Sequence, residues 1–378
     1  MKKLLIATDC YLPRWDGIAR FLKELLPEIK DEYEIEVVAP AFPGVFTPTK
    51  GINETLIPIT KFAAADYLFP KFALKAVKKK VKEADIVWTQ TIGPIGASAI
   101  HYGKAMNKPV IAYIHSIEWE LFSKSLFRAN IKKLVIGTTK SLARYLYNKC
   151  TLLLVPSFEV GELMKKNGIR TPTKPVLMGV NTNHFYPPKN KSSAKEFLGL
   201  PSRARVIGYC GRIGREKDIV TLYRAFLRLR HKIGEARLII AGGGVKDYDS
   251  LLKSKQDIIH VGPKNNLLPY YQALDVFVLP SLTETSSLVT MEAMSTGVPV
   301  VVTKVGHVKE YVEENKNGMF FNKRDSFQLY VILQKLLRDD VERQRLGRNA
   351  RKTILDMYSF EKTVKDVKFI LSQFSELD

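Results

Sequence analysis

The chain has 378 residues, 46% of them hydrophobic, and a formal net charge of +21 from 59 Lys and Arg against 38 Asp and Glu. That length exceeds one typical core and is enough for two ordinary domains, and the apolar content excludes a disordered chain. The three cysteines, Cys10, Cys150 and Cys210, are too few and too far apart for a disulfide framework or a C-x-x-C metal pair, which points to packing thiols in a reducing cytosol.

The N-terminal apolar run stops at Asp9, too short for a signal-peptide core, and reads as a buried first strand over residues 3–8. Further short apolar runs at 36–39, 85–90, 110–114 and 152–155 read as strands buried on both faces, with helical stretches such as 18–29 and 94–106 between them. The alternation predicts parallel strands joined by crossover helices. It restarts after residue 185, with strands expected at 206–210, 237–241, 258–261, 276–279 and 298–302 and helices at 220–230, 288–295 and 327–337. The irregular Gly-, Asn- and Pro-containing connection at 179–188 marks the boundary. The expected domains are 1–182 and 183–357, with a helical tail in 358–378 that packs back toward the first. The fold class is α/β, two Rossmann-like doubly wound domains facing a cleft at their strand carboxyl ends. No apolar stretch approaches the length of a membrane span.

The most informative run is residues 280–301, Pro-Ser-Leu-Thr-Glu-Thr-Ser-Ser-Leu-Val-Thr-Met-Glu-Ala-Met-Ser-Thr-Gly-Val-Pro-Val-Val. It follows a strand, turns and opens a helix. Thr285, Ser286, Ser287 and Leu288 would stand at that helix N-terminus, where free amides and the dipole favour an anion. Glu284 and Glu292, eight residues apart, are carboxylates suited to accept from the adjacent hydroxyls of a ribose or hexose. A second run, residues 211–217, Gly-Arg-Ile-Gly-Arg-Glu-Lys, follows the first strand of the second half and holds Arg212 and Lys217.

The run at 280–301 resembles the signature of the family 4 glycosyltransferases of GT-B fold, and Thr-Glu-Thr at 283–285 is similar to the lipid-directed glucosyl- and mannosyltransferases among them. The resemblance spans nearly the whole chain. It implies that Arg212 and Lys217 bind the diphosphate of a nucleotide-sugar donor. The physics agrees, since a diphosphate leaving group needs positive charge and Arg supplies a fork and Lys a point charge. No Asp-x-Asp stands beside this expected site, so no metal is assigned. The resemblance further implies that His115, at the end of strand 110–114, lies beside the transferred sugar as a contact and polarising group. Arg212, Lys217, Glu284 and His115 are the catalytic set. Gly17, before a helix in Thr-Asp-Cys-Tyr-Leu-Pro-Arg-Trp-Asp-Gly-Ile at 8–18, would allow close approach to the donor, and Tyr11, Arg14 and Asp16 would face the acceptor. Val261 would pass near the base through backbone atoms. The retaining family mechanism it implies is front-face attack, with the leaving phosphate taking the acceptor's proton. Departures are Ser287 where the family commonly has Gly, Gly306-His307 in place of Gly-Gly, and Asn181 in place of Asp; they bear on donor identity.

Residues 51–150 hold 16 basic and 6 acidic residues, which concentrates the N-terminal charge in one hundred residues. The stretch 71–82 has six lysines, and 124–149 has seven basic residues and no acid, both interleaved with apolar side chains. Such helices either bury their apolar stripe or lie on an anionic membrane interface. The reading is therefore a cytoplasmic enzyme, peripheral on the inner face of the membrane, that moves a hexose from a donor such as UDP-glucose or GDP-mannose to a lipid or lipid-linked acceptor without a cofactor. The alternatives are a soluble acceptor, a sugar-nucleotide epimerase of the same architecture, and a nucleic-acid binder. The last lacks any groove-reading motif, and no nucleic-acid partner is expected.

Overall fold

The computed structural model describes residues 1–14, 16–64, 67–120, 129–244, 257–264 and 266–375. It divides into two compact units, Met1–Leu177 with Thr363–Asp378, and Met178–Lys362.

The first unit holds an eight-stranded sheet. Its strands are β1 (Lys2–Ala7), β2 (Tyr33–Ala41), β3 (Asn53–Ala64), β4 (Tyr67–Pro70), β5 (Ile86–Thr89), β6 (Val110–Tyr113), β7 (Leu152–Val155) and β8 (Thr173–Pro175), in the order β4-β3-β2-β1-β5-β6-β7-β8. All pairs are parallel except β3–β4. Leu4, Leu5 and Ile6 have no exposed surface, and each such side chain contributes about 1.5–3 kcal/mol relative to exposure. Helices Gly17–Ile29, Leu74–Glu83, Pro94–Ala105, Ala129–Tyr147 and Phe158–Lys166 connect the strands. The helix Phe360–Ser375 runs into this unit from residue 363 onward, where Lys368 pairs with Glu32 at 2.7 Å and Thr363 donates to the Leu177 carbonyl.

The second unit has β9 (Arg205–Cys210), β10 (Ala236–Ala241), β11 (Ile258–Gly262), β12 (Val276–Leu279), β13 (Val300–Thr303) and β14 (Gly318–Phe321), in the order β11-β10-β9-β12-β13-β14, all parallel. This is the doubly wound order, reversing between β9 and β12 just as the first sheet reverses between β1 and β5, and such reversals open a crevice at the strand carboxyl ends. The division falls at Met178 rather than at residue 183. The reason is a bridge: Val180 N–H donates to the Tyr358 carbonyl at 2.9 Å and Phe360 N–H to the Val180 carbonyl at 3.0 Å, which ties the crossing chain into the second unit.

Among the described residues no helix is long and apolar enough to cross a membrane. All three cysteines are free.

Candidate functional site

In the second unit the loops after β9 and β12 meet at the sheet reversal. Lys217 Nζ donates to Glu284 Oε1 at 2.6 Å, and Ser281 Oγ donates to the same oxygen at 2.7 Å. The side chains of Lys217 and Glu284 are 17% and 8% exposed, so this is a largely desolvated, charge-assisted pair. Arg212 is ion-paired with the buried carboxylate of Glu216, and the Glu216 carbonyl accepts from Leu282 N–H at 2.7 Å, which joins the two loops. Tyr209 hydroxyl donates to the Arg212 carbonyl at 2.7 Å.

The backbone of Glu284 is held as firmly as its side chain. Gly306 (φ +49°) lies so close that a Cβ there would come within 2.2 Å of the Glu284 carbonyl oxygen, and His307 N–H donates to the Thr285 carbonyl at 2.7 Å. Behind Ser281, Thr303 hydroxyl donates to its carbonyl at 2.5 Å. The glycine run after β10 serves packing: a Cβ on Gly242 (φ +155°) would lie 1.8 Å from the Gly211 carbonyl oxygen.

Helix Leu288–Ser295 begins as expected, with Ser287 at its N-cap, but the cap geometry is unusual. Ser287 is left-handed (φ +56°) and makes no side-chain cap. A left-handed residue is cheapest as glycine, which is the residue of the resembled pattern at this place; nothing in the structure explains the serine. Its hydroxyl instead meets the Thr290 hydroxyl at 2.8 Å, and Tyr311 hydroxyl donates to the Ser286 carbonyl at 3.0 Å. The Ser286 hydroxyl is buried without a partner among the described residues, a polar atom suited to a ligand at this helix start. Val261 sits in β11, partly buried.

Glu292 corrects the sequence reading. It has no exposed surface, and its Oε2 accepts from Tyr271 hydroxyl at 2.7 Å. Eight residues of spacing carried it into the helix interior, so in this structure its carboxylate is not presented to a donor diol.

In the first unit, Tyr11 is also corrected, and Asp16 takes a structural role. Tyr11 is 1% exposed, and its hydroxyl donates to Glu54 at 2.7 Å, so it does not face an acceptor. Asp16 is the N-cap of helix Gly17–Ile29: one oxygen accepts from Ile18 and Ala19 N–H, both at 3.0 Å, and the other from Arg14 Nε at 3.2 Å. Aspartate fits that role, and it occupies amides an anionic ligand would use. Arg14 thereby faces Asp16 rather than open solvent. Gly17 is exposed, and a Cβ there would meet nothing within 4 Å, so no protein contact requires glycine.

His115 follows β6. Its Nε2 lies 2.7 Å from Gln90 Oε1, and its ring packs against Tyr113 and Phe21 at centroid distances of 4.4 Å and 5.3 Å. Burial lowers its pKa to about 3, so the ring is neutral at ordinary pH. Nearby in sequence, Glu118 is buried, accepts from Tyr147 hydroxyl at 2.6 Å, and has its carboxyl lifted by burial to about 7. Asp9 at the end of β1 accepts from Thr91 hydroxyl at 2.5 Å and from Ile95 and Gly96 N–H at 2.9 Å and 3.1 Å, capping helix Pro94–Ala105 from a distant loop.

The basic stretches divide their faces. In helix Leu74–Glu83, Val77 and Val81 are core, while Lys75, Lys78, Lys79 and Lys82 are exposed beside Phe72 and Leu74. In helix Ala129–Tyr147, Leu134, Leu142 and Tyr145 are exposed. Lys124 to Arg128, the start of the second basic stretch, lie outside the described residues.

The structure thus gathers Arg212, Lys217, Glu284, Thr285, Ser286, Ser287 and Leu288 around one sheet reversal. Sequence reasoning missed Ser281, Glu216 and Gln90. Each lies inside a named run or strand; Ser281 and Glu216 pair within their own loops, three and four residues away, while Gln90 meets a partner 25 residues away, which leaves no local signal.

Residues 15–184 match the description Glycosyltransferase Family 4, and residues 190–353 match Glycosyl transferases group 1. The sulfoquinovosyl transferase of Arabidopsis thaliana is 27% identical over 356 residues, covering 90% of this chain; the chain spans 66% of that protein's length. The alpha-monoglucosyldiacylglycerol synthase of Acholeplasma laidlawii is 27% identical over 361 residues, 86% of either chain. The structure of Anabaena HepE in complex with UDP and glucose is similar in fold, with a TM-score of 0.81 at 19% identity over 98% of this chain and 100% of that one. Matched in both halves and built from two parallel-sheet units of this order, the chain belongs to the family 4 glycosyltransferases of GT-B fold.

Proposed function

We propose that this glycosyltransferase moves a hexose, with retention of configuration and without a divalent ion, from a nucleotide sugar to a lipid or lipid-linked acceptor at an anionic membrane surface. The observation that carries the reading is the cluster of Lys217, Glu284 and Ser281 beside Arg212. An ammonium has three N–H donors. Glu284 takes one, and the others are suited to a donor phosphate. Charge grows on that phosphate as the anomeric carbon–oxygen bond breaks, so a preplaced Lys and Arg act most in the transition state. The acceptor oxygen bonds to the anomeric carbon from the same face, and its proton passes to the leaving phosphate oxygen. Glu284 is held in place: Oε1 is engaged by two donors, and Oε2 is suited to accept from a sugar hydroxyl. His115, neutral and beside Gln90, is suited to contact the transferred sugar.

The lipid side rests on the exposed lysines and apolar residues of helix Leu74–Glu83. Each near-surface Lys adds about 1 kcal/mol of attraction to anionic lipid. The diacylglycerol in the name of the Acholeplasma relative supports a lipid-related product class. The test is transfer of labelled hexose from UDP-glucose and GDP-mannose into extracted lipid, with and without chelator, together with flotation on anionic vesicles. Turnover that vanishes with chelator and returns with manganese refutes the metal-free reading. Turnover onto a soluble glycan with no vesicle binding at low salt favours a soluble acceptor.

A further inference from the structure

We infer that Gln90 is a positioning residue that selects the tautomer of His115, so that His115 meets its ligand as a hydrogen-bond acceptor through Nδ1. The inference rests on the proposed placement of His115 beside the transferred sugar, and it assigns the chemistry of that contact.

Gln90 directly follows β5, and its N–H donates to the Ala7 carbonyl of β1 at 2.9 Å, so it sits at the reversal point of the first sheet. It is 1% exposed. Its Oε1 lies 2.7 Å from His115 Nε2. An amide oxygen only accepts, so Nε2 carries the proton and donates. The ring is neutral, since burial depresses its pKa to about 3. A neutral imidazole has one proton. With that proton on Nε2, Nδ1 carries a lone pair and takes a hydroxyl proton rather than giving one.

A second observation separates this from ordinary packing. The amide orientation that satisfies His115 leaves Gln90 Nε2 buried with no hydrogen bond among the described residues. Buried amide nitrogens are rarely left so. The side chain thus meets the imidazole at the expense of its own donor. Phe21 and Tyr113 pack against the His115 ring and limit its rotation, so while the amide oxygen faces Nε2 the proton stays on that nitrogen.

The experiment is nitrogen NMR of the full chain labelled at its six histidines, with His115 assigned by its loss in His115→Gln. Between about pH 5 and pH 8, the wild type is expected to show His115 with Nε2 protonated and Nδ1 bare. Gln90→Met, of similar length but without an acceptor, is expected to give mixed tautomers. Gln90→Glu sets a carboxylate against the ring, stabilises the imidazolium and raises the His115 pKa, so a doubly protonated ring appears on the acid side and turnover falls there. Gln90→Met is expected to lower kcat about tenfold, the scale of one misplaced hydrogen bond, with donor KM within about twofold. A wild-type ring protonated on Nδ1 overturns the inference. So does an unchanged ring state in both variants; if Gln90→Met does not fold, an unchanged ring in Gln90→Glu decides it. The ring state is read without turnover, so failure of the transferase reading is seen separately, as an inactive wild type.

Discussion

Replacing Lys217 by Met strands the Glu284 carboxylate in a site where it is 8% exposed. At about 4 Å and an effective dielectric of about 20, a full pair is worth about 4 kcal/mol of raw Coulomb energy. Breaking a fully buried pair costs about 3–5 kcal/mol. Lys217 retains some solvent contact, and Ser281 still donates to Glu284, which brings the expected loss to about 2–3 kcal/mol. For a unit of this size that is about 5–10 °C in Tm. Adding Glu284→Gln removes the stranded charge, so the double variant should regain about 2 kcal/mol relative to additive singles. Turnover should behave oppositely: each single variant loses about 100-fold or more, the scale of one transition-state donor, and the double recovers nothing. Hydrogen exchange over the second unit reads its stability. Tryptophan fluorescence reads the first unit, because Trp88 and Trp119 lie there and the sequence has no tryptophan after residue 119. Additive stabilities, or turnover restored in the double variant, would refute the reasoning.

Ser281→Ala should cost about 1 kcal/mol and lower kcat about tenfold while the protein stays folded, as measured by steady-state kinetics beside a thermal melt. Gly306→Ala should be worse, because its Cβ meets the Glu284 carbonyl oxygen at 2.2 Å from a left-handed backbone. A loss of about 2 kcal/mol or more with collapsed turnover is expected, and a wild-type melt would contradict the packing. The pH dependence has two signed limbs. His115 is depressed from 6.5 to about 3, so its contribution is present above pH 6.5 and lost as pH falls toward 3; His115→Gln should flatten that acid limb. Glu118 is raised from 4.5 to about 7, so its contribution is present below pH 4.5 and lost as pH rises through 7; Glu118→Gln should make stability flatter there and higher at pH 8. Urea denaturation across pH measures both.

The order and type of the central elements were legible because strands buried on both faces must be short continuous apolar runs. β7 and β12 fall on residues 152–155 and 276–279 as expected, and helix Leu288–Ser295 matches to the residue. Of the edge strands, β11 was legible and β4, β8 and β14 were not: they are three or four residues long, since an edge strand has one neighbour and need not be apolar throughout. The interior strand β3 was not legible either, because polar residues and a proline interrupt its apolar run. Runs of Gly, Arg, Lys and Glu at strand ends marked the loops where the proposed donor site falls, because turn geometry and charge are local properties of the chain.

Which side chains meet there is a property of the tertiary structure. Glu54 claims Tyr11, Tyr271 claims Glu292, and the helix amides of Ile18 and Ala19 claim Asp16. Ser281 and Lys217 together fix Glu284, while Gln90 engages His115. Composition and spacing decide which residues are available to bind. A buried polar group must find a partner wherever the fold places one, and only three-dimensional packing decides which of them remain turned toward a ligand.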